Sequence, residues 1–303
     1  MLKKGSFRRI IVASFALIIV LVSIYIFPKN EIKVPTKTIY KKAKTSAIYL
    51  IDKNNYVSRT YININNESKE NIAKELIEAL INGSNKNKYL PLGFTSYISN
   101  STTLNSLKIE NDLITVDFND NLFKNNDGHE EKIIESIVYT LTEIDGINRV
   151  KILINGEPLI RIPNINKILP EILTRDIGIN HKSMINSFKD TKSVTAYFIN
   201  SYNDTNYYIP ITFTVNSEKE KIEVIINELS GKDYIDDNLS TYIIAGTELK
   251  NYEILENEIN LEFNNLIFNG FNEIDEEVMY GITYSVKDTY NVDTVRINNK
   301  TIN

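Results

Sequence analysis

The sequence predicts an α+β protein built as two tandem repeats, each a mixed β-sheet with two helices on one face, behind an N-terminal membrane-spanning helix. Three observations predict it. The stretch IENDLITVDFNDNLF at Ile109–Phe123 returns 145 residues later as ILENEINLEFNNLIF at Ile254–Phe268. Segments with apolar residues at helical spacing flank both copies in the same order. Finally, Ile10–Phe27 runs without a charge directly behind the basic residues Lys3, Lys4, Arg8 and Arg9.

The N-terminal segment comes first. Eighteen residues in a helix span about 27 Å, close to the hydrocarbon thickness of a bilayer. The segment ends in the bulky run Ile24-Tyr25-Ile26-Phe27-Pro28 rather than in small residues, which favours an uncleaved anchor over a cleaved signal peptide. Basic residues ahead of the span keep the N-terminus in the cytoplasm and place everything after Pro28 outside that membrane. Residues 1–28 therefore read as a cytoplasmic tip and transmembrane anchor. Residues 29–46, polar and lysine-rich, read as a flexible stalk.

Residues 47–159 form the first expected domain. Ile48–Ile51 reads as a short buried strand and Tyr56–Ile64 as a second. Ser68 suits a helix N-cap, and Ile72, Ala73, Leu76, Ile77, Leu80 and Ile81 make one apolar face. Asn82-Gly83 ends that helix. Ser84–Thr103 reads as an unusually long loop. The repeated hairpin follows, with Asn111-Asp112 or Glu256-Asn257 at its turn. In its second strand Ile114, Val116 and Phe118 point inward and Thr115, Asp117 and Asn119 outward, matched by Ile259, Leu261, Phe263 and Asn260, Glu262, Asn264. Asp127 and Glu130 suit the start of a second helix with Ile133, Ile134, Ile137, Val138, Leu141 and Ile144 inward. Asp145-Gly146 stops it, and Val150–Ile154 closes the domain.

Residues 160–193 read as a connector, apolar enough to pack between the two domains. Residues 194–303 repeat the programme. Ala196–Ile199 matches Ile48–Ile51. Ser217 with Glu220 reads as a capping box, and Ile222, Ile225, Ile226 and Leu229 restate the first helix. Ile274, Val278, Ile282 and Val286 restate the second, with Tyr284 matching Tyr139. Gly281 inside that helix costs roughly 1 kcal/mol against Ala, which predicts a close packing contact there. Val295–Asn299 is the closing strand. The element order β-β-α-β-β-α-β is thus used twice.

The runs IYLIDKNNY, EALINGS, LKIENDLITVDFNDNLF, ESIVYTLTEIDGINRVKILING and LTRDIGIN resemble GerM domains of spore-forming bacteria, in two copies over about Ala47–Asn303. GerM-type domains are similar to the ring-building motifs of secretion-system rings. The resemblance implies an extracytoplasmic, membrane-attached protein of sporulation, working with the envelope complex between mother cell and forespore in spore formation and germination. Such proteins are often lipoproteins. This chain has no cysteine and offers Ile10–Phe27 in place of a lipid. The resemblance implies no catalytic residues.

The residues themselves point away from catalysis. Without cysteine there is no disulfide, thiol nucleophile or cysteine-based metal site. No phosphate loop, nucleophile elbow or zinc-binding HExxH occurs. His129 and His181 lie far apart and read as solvated residues. Asp117 and Glu262 occupy matching positions on polar strand faces, and the tyrosines of Tyr202–Tyr208 and Tyr280–Tyr290 read as ordinary strand and core residues. A net charge of −5 with no basic footprint argues against nucleic acid. The expectation is a non-enzymatic scaffold without cofactor or metal. Its expected partners are a membrane and extracytoplasmic proteins, with homo- or hetero-oligomers through open sheet edges. The alternative is a module binding cell-wall glycan (peptidoglycan) or a germinant through Ser84–Thr103 and the tyrosines.

Overall fold

The structure, a computed structural model, describes residues 44–125, 128–231 and 239–301, together with Phe15, Leu17 and Ile18. Apart from those three residues, the expected anchor Ile10–Phe27 lies outside the described residues, as do residues 29–43 of the expected stalk and Asp127. Among the described residues no helix is long and apolar enough to cross a membrane. Lys44, Thr45 and Ser46, expected in the stalk, instead begin a strand.

The compact unit that starts at Lys44 follows the expected order twice. The first pass is β1 (Lys44–Asp52), β2 (Val57–Ile64), α1 (Lys69–Leu80), a two-residue β3 (Phe94–Thr95), β4 (Leu104–Glu110), β5 (Leu113–Phe118), α2 (Glu130–Leu141) and β6 (Arg149–Ile154). Two short strands follow, β7 (Glu157–Pro158) at the end of the first repeat and β8 (Lys182–Met184) in the connector. The second pass is β9 (Thr191–Tyr202), β10 (Thr205–Asn216), α3 (Lys221–Ser230), β11 (Leu249–Ile254), β12 (Glu258–Phe263), α4 (Glu276–Tyr290) and β13 (Thr294–Ile297).

The strands of one repeat do not form one sheet, which corrects the expectation of a single mixed sheet under two helices. Each repeat divides them into a hairpin and a separate mixed core sheet, β4–β5–β6–β7 in the first repeat and β11–β12–β13 in the second, and the two hairpins join. β1–β2 and β9–β10 meet through the antiparallel pair Tyr208–Arg59 and share one sheet with β3 and β8. The reason lies in β1 and β9. Ala47 to Asp52 and Val194 to Ile199 are buried without alternation, so both faces of these strands need cover. One face packs into the strand's own repeat and the other against the joint between repeats.

The core sheets share one pairing pattern. β5 pairs antiparallel with β4 and parallel with β6, and β12 does the same with β11 and β13. The parallel pair requires a crossover, and α2 or α4 supplies it. Ile114, Val116 and Phe118 are fully buried, as is Ile259, with Leu261 and Phe263 nearly so. Even the register irregularity repeats, between Leu104 and Ser106 and between Leu249 and Asn251. One apolar core forms in each repeat, and a third small cluster of Tyr49, Ile51, Val57, Tyr139 and Ile179 lies between them.

Three local details differ from or extend the sequence reading. Ser68 caps α1 through its hydroxyl, which accepts from Asn71 N–H at 3.3 Å. The capping box at Ser217 does not form. Its hydroxyl accepts from Lys219 N–H instead, α3 starts after Glu220, and the orphan N–H of Ile222 donates to the Tyr290 hydroxyl at 2.9 Å. The long loop is tied down by a 3₁₀ turn at Asn87–Tyr89, by β3 pairing with β1, and by an Ile81–Ile98 bridge. Every non-glycine residue at positive φ among the described residues is Asn or Asp, the side chains that best tolerate that region. The asparagine-rich composition thus has a structural use in the turns.

Candidate functional site

The clearest concentration of polar side chains lies where the repeats meet. Tyr49 on β1 and Tyr197 on β9 hold equivalent places. Their backbone N–H groups donate to Thr140 Oγ1 on α2 and Ser285 Oγ on α4, at 2.9 and 2.8 Å. Their hydroxyls meet each other at 2.9 Å. The Tyr49 hydroxyl also reaches Glu143 at 3.0 Å, just past the end of α2, and the Tyr197 hydroxyl donates to Asp288 on α4 at 2.5 Å. Two copies of one tyrosine–acid pair therefore face each other.

Two facing carboxylates need a cation. Arg175 of the LTRDIGIN stretch supplies it, bonding Glu143 at 2.7 Å and also Asp288, with further bonds to Thr142 Oγ1 at 2.8 Å and Tyr139 O at 3.3 Å. Arg59 on β2 grips Glu143 from the other side at 2.9 and 3.2 Å and lies 4.3 Å from the Tyr284 ring centre. Burial alone would push the Glu143 carboxyl upward, but Arg59 and then Arg175 outweigh it and hold it well below the usual carboxylate range. Asp288 goes the other way: burial raises it, and Arg175 offsets that only in part.

The rest of the connector stretch stitches the joined sheet. Asn180 donates through Nδ2 to Val57 O and Pro210 O, both at 2.8 Å, and accepts from Val57 N–H at 2.9 Å. Ile179 and Thr212 exchange hydrogen bonds. Further along, the Tyr207 hydroxyl donates to Asp52 at 2.9 Å, and the Phe94 ring lies edge-on to Tyr207. The long loop Ser84–Thr103 thus packs on the second repeat through Phe94.

The singled-out sequence residues do not converge. His129 precedes α2 and stacks on Tyr97 with ring centres 4.1 Å apart. His181 is exposed, with its Nε2 2.8 Å from Ile177 O. Asp117 accepts from Gly156 N–H at 2.9 Å in the first repeat, and Glu262 is exposed in the second. Tyr208, Tyr280 and Tyr284 pack on one another. Among the described residues no group of three or more His, Cys, Asp or Glu could hold a metal ion. Sequence reading missed Arg59, Glu143, Arg175 and Asp288. A signal was present: an acid four residues beyond Tyr139 and again four beyond Tyr284.

Away from the joint, a cavity of about 470 Å³ opens between α2 and the connector. Ile134, Ile162, Leu169, Ile172 and Ile177 make its apolar wall. Glu135 borders this cavity and also a more polar one of about 440 Å³ on its other side. The residue is 6% exposed. Burial drives its pKa up to about 8, against a long hydrogen bond from Asn180 N–H at 3.3 Å. A wider groove of about 780 Å³ crosses the polar face of β11–β13, the solvated side expected from strand alternation.

Comparison with known proteins gives consistent matches. A family model described as "Germane: Sporulation and spore germination" matches residues 47–160 and again 195–300. The spore germination protein GerM of Bacillus subtilis (strain 168) is 31% identical over 258 residues, covering 82% of this chain and 70% of that protein. The solved tandem GerMN domains of the sporulation protein GerM from Bacillus subtilis superpose with a TM-score of 0.75 at 29% identity, covering 85% of this chain and 92% of that one.

Proposed function

The chain belongs to the Germane family of sporulation and spore germination proteins, and from that premise we propose that it is a non-enzymatic scaffold of sporulation. In this reading Ile10–Phe27 anchors it in the membrane with the N-terminus cytoplasmic. Both repeats then work outside the membrane, by contact with other proteins of the envelope complex between mother cell and forespore. One observation carries the reading. The charged groups brought together between the repeats are spent on one another: Glu143, Asp288, Arg59 and Arg175 are paired within the joint. Such a cluster fixes geometry and leaves no group free to act on a substrate.

What the arrangement leaves open is backbone. β4 and β11 are terminal strands of their sheets, and terminal strands invite pairing with another chain. Both carry the same bulge-type irregularity, and Lys108 pairs with Glu110 at 2.8 Å on β4. Bulges and edge charges discourage indiscriminate pairing. Head-to-tail contacts between copies or with related domains close into a ring when the rotation permits. The glycan or germinant alternative has less support, because Phe94 of the loop and the tyrosines Tyr207, Tyr208, Tyr280 and Tyr284 are occupied in packing.

The test is crosslinking and affinity capture of the full chain from sporulating cells. Charge reversals on the terminal strands, Lys108→Glu and Lys250→Glu, accompany the unaltered chain. The reading expects envelope proteins to be captured and the reversals to reduce that capture. Recovery of no envelope protein, or capture indifferent to both reversals, defeats it. Purified peptidoglycan in a parallel pull-down checks the alternative.

A further inference from the structure

We propose that the cavity between α2 and the connector binds a primary ammonium carried on a short branched aliphatic body, with Glu135 as its counter-ion. This proposal is independent of the scaffold reading. Three features support it. The first is size: about 470 Å³ falls within the range of small-molecule sites, roughly 300–1,000 Å³. The second is composition, since the wall of Ile134, Ile162, Leu169, Ile172 and Ile177 suits an aliphatic body.

The third is the state of Glu135. The residue is more than nine-tenths buried, and its one hydrogen bond among the described residues is the long one from Asn180 N–H. Buried carboxylates ordinarily have a cation or several donors. The neighbouring lysines act on Glu135 through space, while their ammonium groups bond other acceptors. Lys167 pairs with Glu131 at 2.7 Å, and the Lys132 ammonium donates to Asn55 O. At the rim Asp176 accepts from Thr174 Oγ1 at 2.9 Å, and His181 lies against Ile177 O. With Glu131 matched by Lys167, Asp176 adds negative charge to the lining and Glu135 joins it once its proton is released, so the charge balance favours a cation.

Binding has a built-in proton linkage. The unliganded carboxyl holds a proton up to about pH 8, and an arriving ammonium favours the ionised form. The proton is released to solvent. Ammonium affinity therefore rises with pH, roughly tenfold per unit well below pH 8.

The experiment titrates isoamylamine into the full chain in lipid nanodiscs by calorimetry, with empty nanodiscs subtracted. Isoamyl alcohol and isovalerate serve as uncharged and anionic controls. The proposal expects saturable amine binding that strengthens from pH 6 to pH 8, with isovalerate not bound. Glu135→Gln should weaken amine binding roughly 10- to 100-fold, as loss of a charge-assisted hydrogen bond predicts. Asp117→Asn, in the separate β4–β7 sheet, should leave it within threefold. Ile172→Lys, at a partly exposed position on the wall, provides a second variant whose own ammonium should block the site. Equal affinity for amine and alcohol overturns the proposal. So does absence of saturable binding, or amine affinity unchanged in both Glu135→Gln and Ile172→Lys.

Discussion

Replacing Arg175 with methionine tests the joint most directly. Methionine keeps much of the side-chain volume and removes the charge. Glu143 retains Arg59 at 2.9 and 3.2 Å. Asp288, with its side chain 5% exposed, retains only the Tyr197 hydroxyl among the described residues. Leaving one member of a buried ion pair uncompensated costs about 3–5 kcal/mol. Protonation offers no cheaper escape at neutral pH, because neutralising an ordinary aspartate about three units above its pKa costs roughly 4 kcal/mol. Arg175→Met should therefore lose about 3–5 kcal/mol at pH 7. The melting point should fall by roughly 6–20 °C, at about 2–4 °C per kcal/mol for a domain this large.

The deficit should depend on pH in a definite direction. Without Arg175 the folded-state pKa of Asp288 rises further above its unfolded value. The penalty is then smallest below about pH 4, where both states hold the proton, and grows as pH rises. Arg175→Met with Asp288→Asn removes the stranded charge and should recover more than half of the loss. Urea denaturation of the three variants between pH 4 and 7 measures all of this. A loss below about 1 kcal/mol at pH 7 would show that the pairs contribute little net stability. A double variant no better than the single one would show that the cost arises from packing rather than charge.

Other perturbations report on other parts of the unit. A Cβ on Gly281 would lie 3.3 Å from Tyr197 O, so Gly281→Val should cost about 1–3 kcal/mol by overpacking, read from its urea midpoint. Asn180→Gly keeps the left-handed backbone at φ 47° but removes three hydrogen bonds. It should cost roughly 2–3 kcal/mol and speed hydrogen exchange at Val57 N–H. Glu135 is raised from its ordinary 4.5 to about 8, so the folded chain holds a proton there that the unfolded chain has released. Stability is fully present below about pH 4.5, falls as pH rises through that window, and levels above about 8. Glu135→Gln should flatten that decline, a difference on the order of 4 kcal/mol between pH 5 and 9, measured by denaturation at each pH.

Much of the fold was legible because it is written twice. Period-2 alternation at Ile114–Phe118 and Ile259–Phe263 identified the buried strand faces, and one apolar stripe on each helix identified its inner side. The close contact at Gly281 followed from the cost of glycine in a helix. The division into separate sheets was not legible. Alternation tells which face of a strand is buried but not which strands pair, and the continuous burial of β1 and β9 was the one hint that a second layer covers them. The Ser217 cap does not form because α3 starts later, after Glu220, where the hydroxyl of Tyr290, distant in sequence, meets Ile222 N–H. Arg175 belongs to the LTRDIGIN stretch, which reads as connector, since a lone arginine in a loop carries no local mark of burial. Glu135 was equally hidden, lying among the apolar residues of α2 without a repeat partner.

The joint also explains how a duplicated chain can settle on one arrangement. Duplication copies tyrosine, hydroxyl donor-acceptor and acid: Tyr49, Thr140 and Glu143 become Tyr197, Ser285 and Asp288. Brought face to face, the copies place two carboxylates near each other, which is unfavourable without a cation. The cations are not duplicated. Within the hairpins Tyr49 is paired with Arg59 but Tyr197 with Pro210, so only one acid has an arginine from its own hairpin. The second comes from Arg175 in the connector, which exists once per chain and can reach both acids only when the two repeats of that chain are joined. An apolar joint of similar volume would be at least as stable but would accept the hairpin of any other copy as readily. The charged joint ties the pairing of β2 with β10 to the linker between them, because Arg175 belongs to that linker.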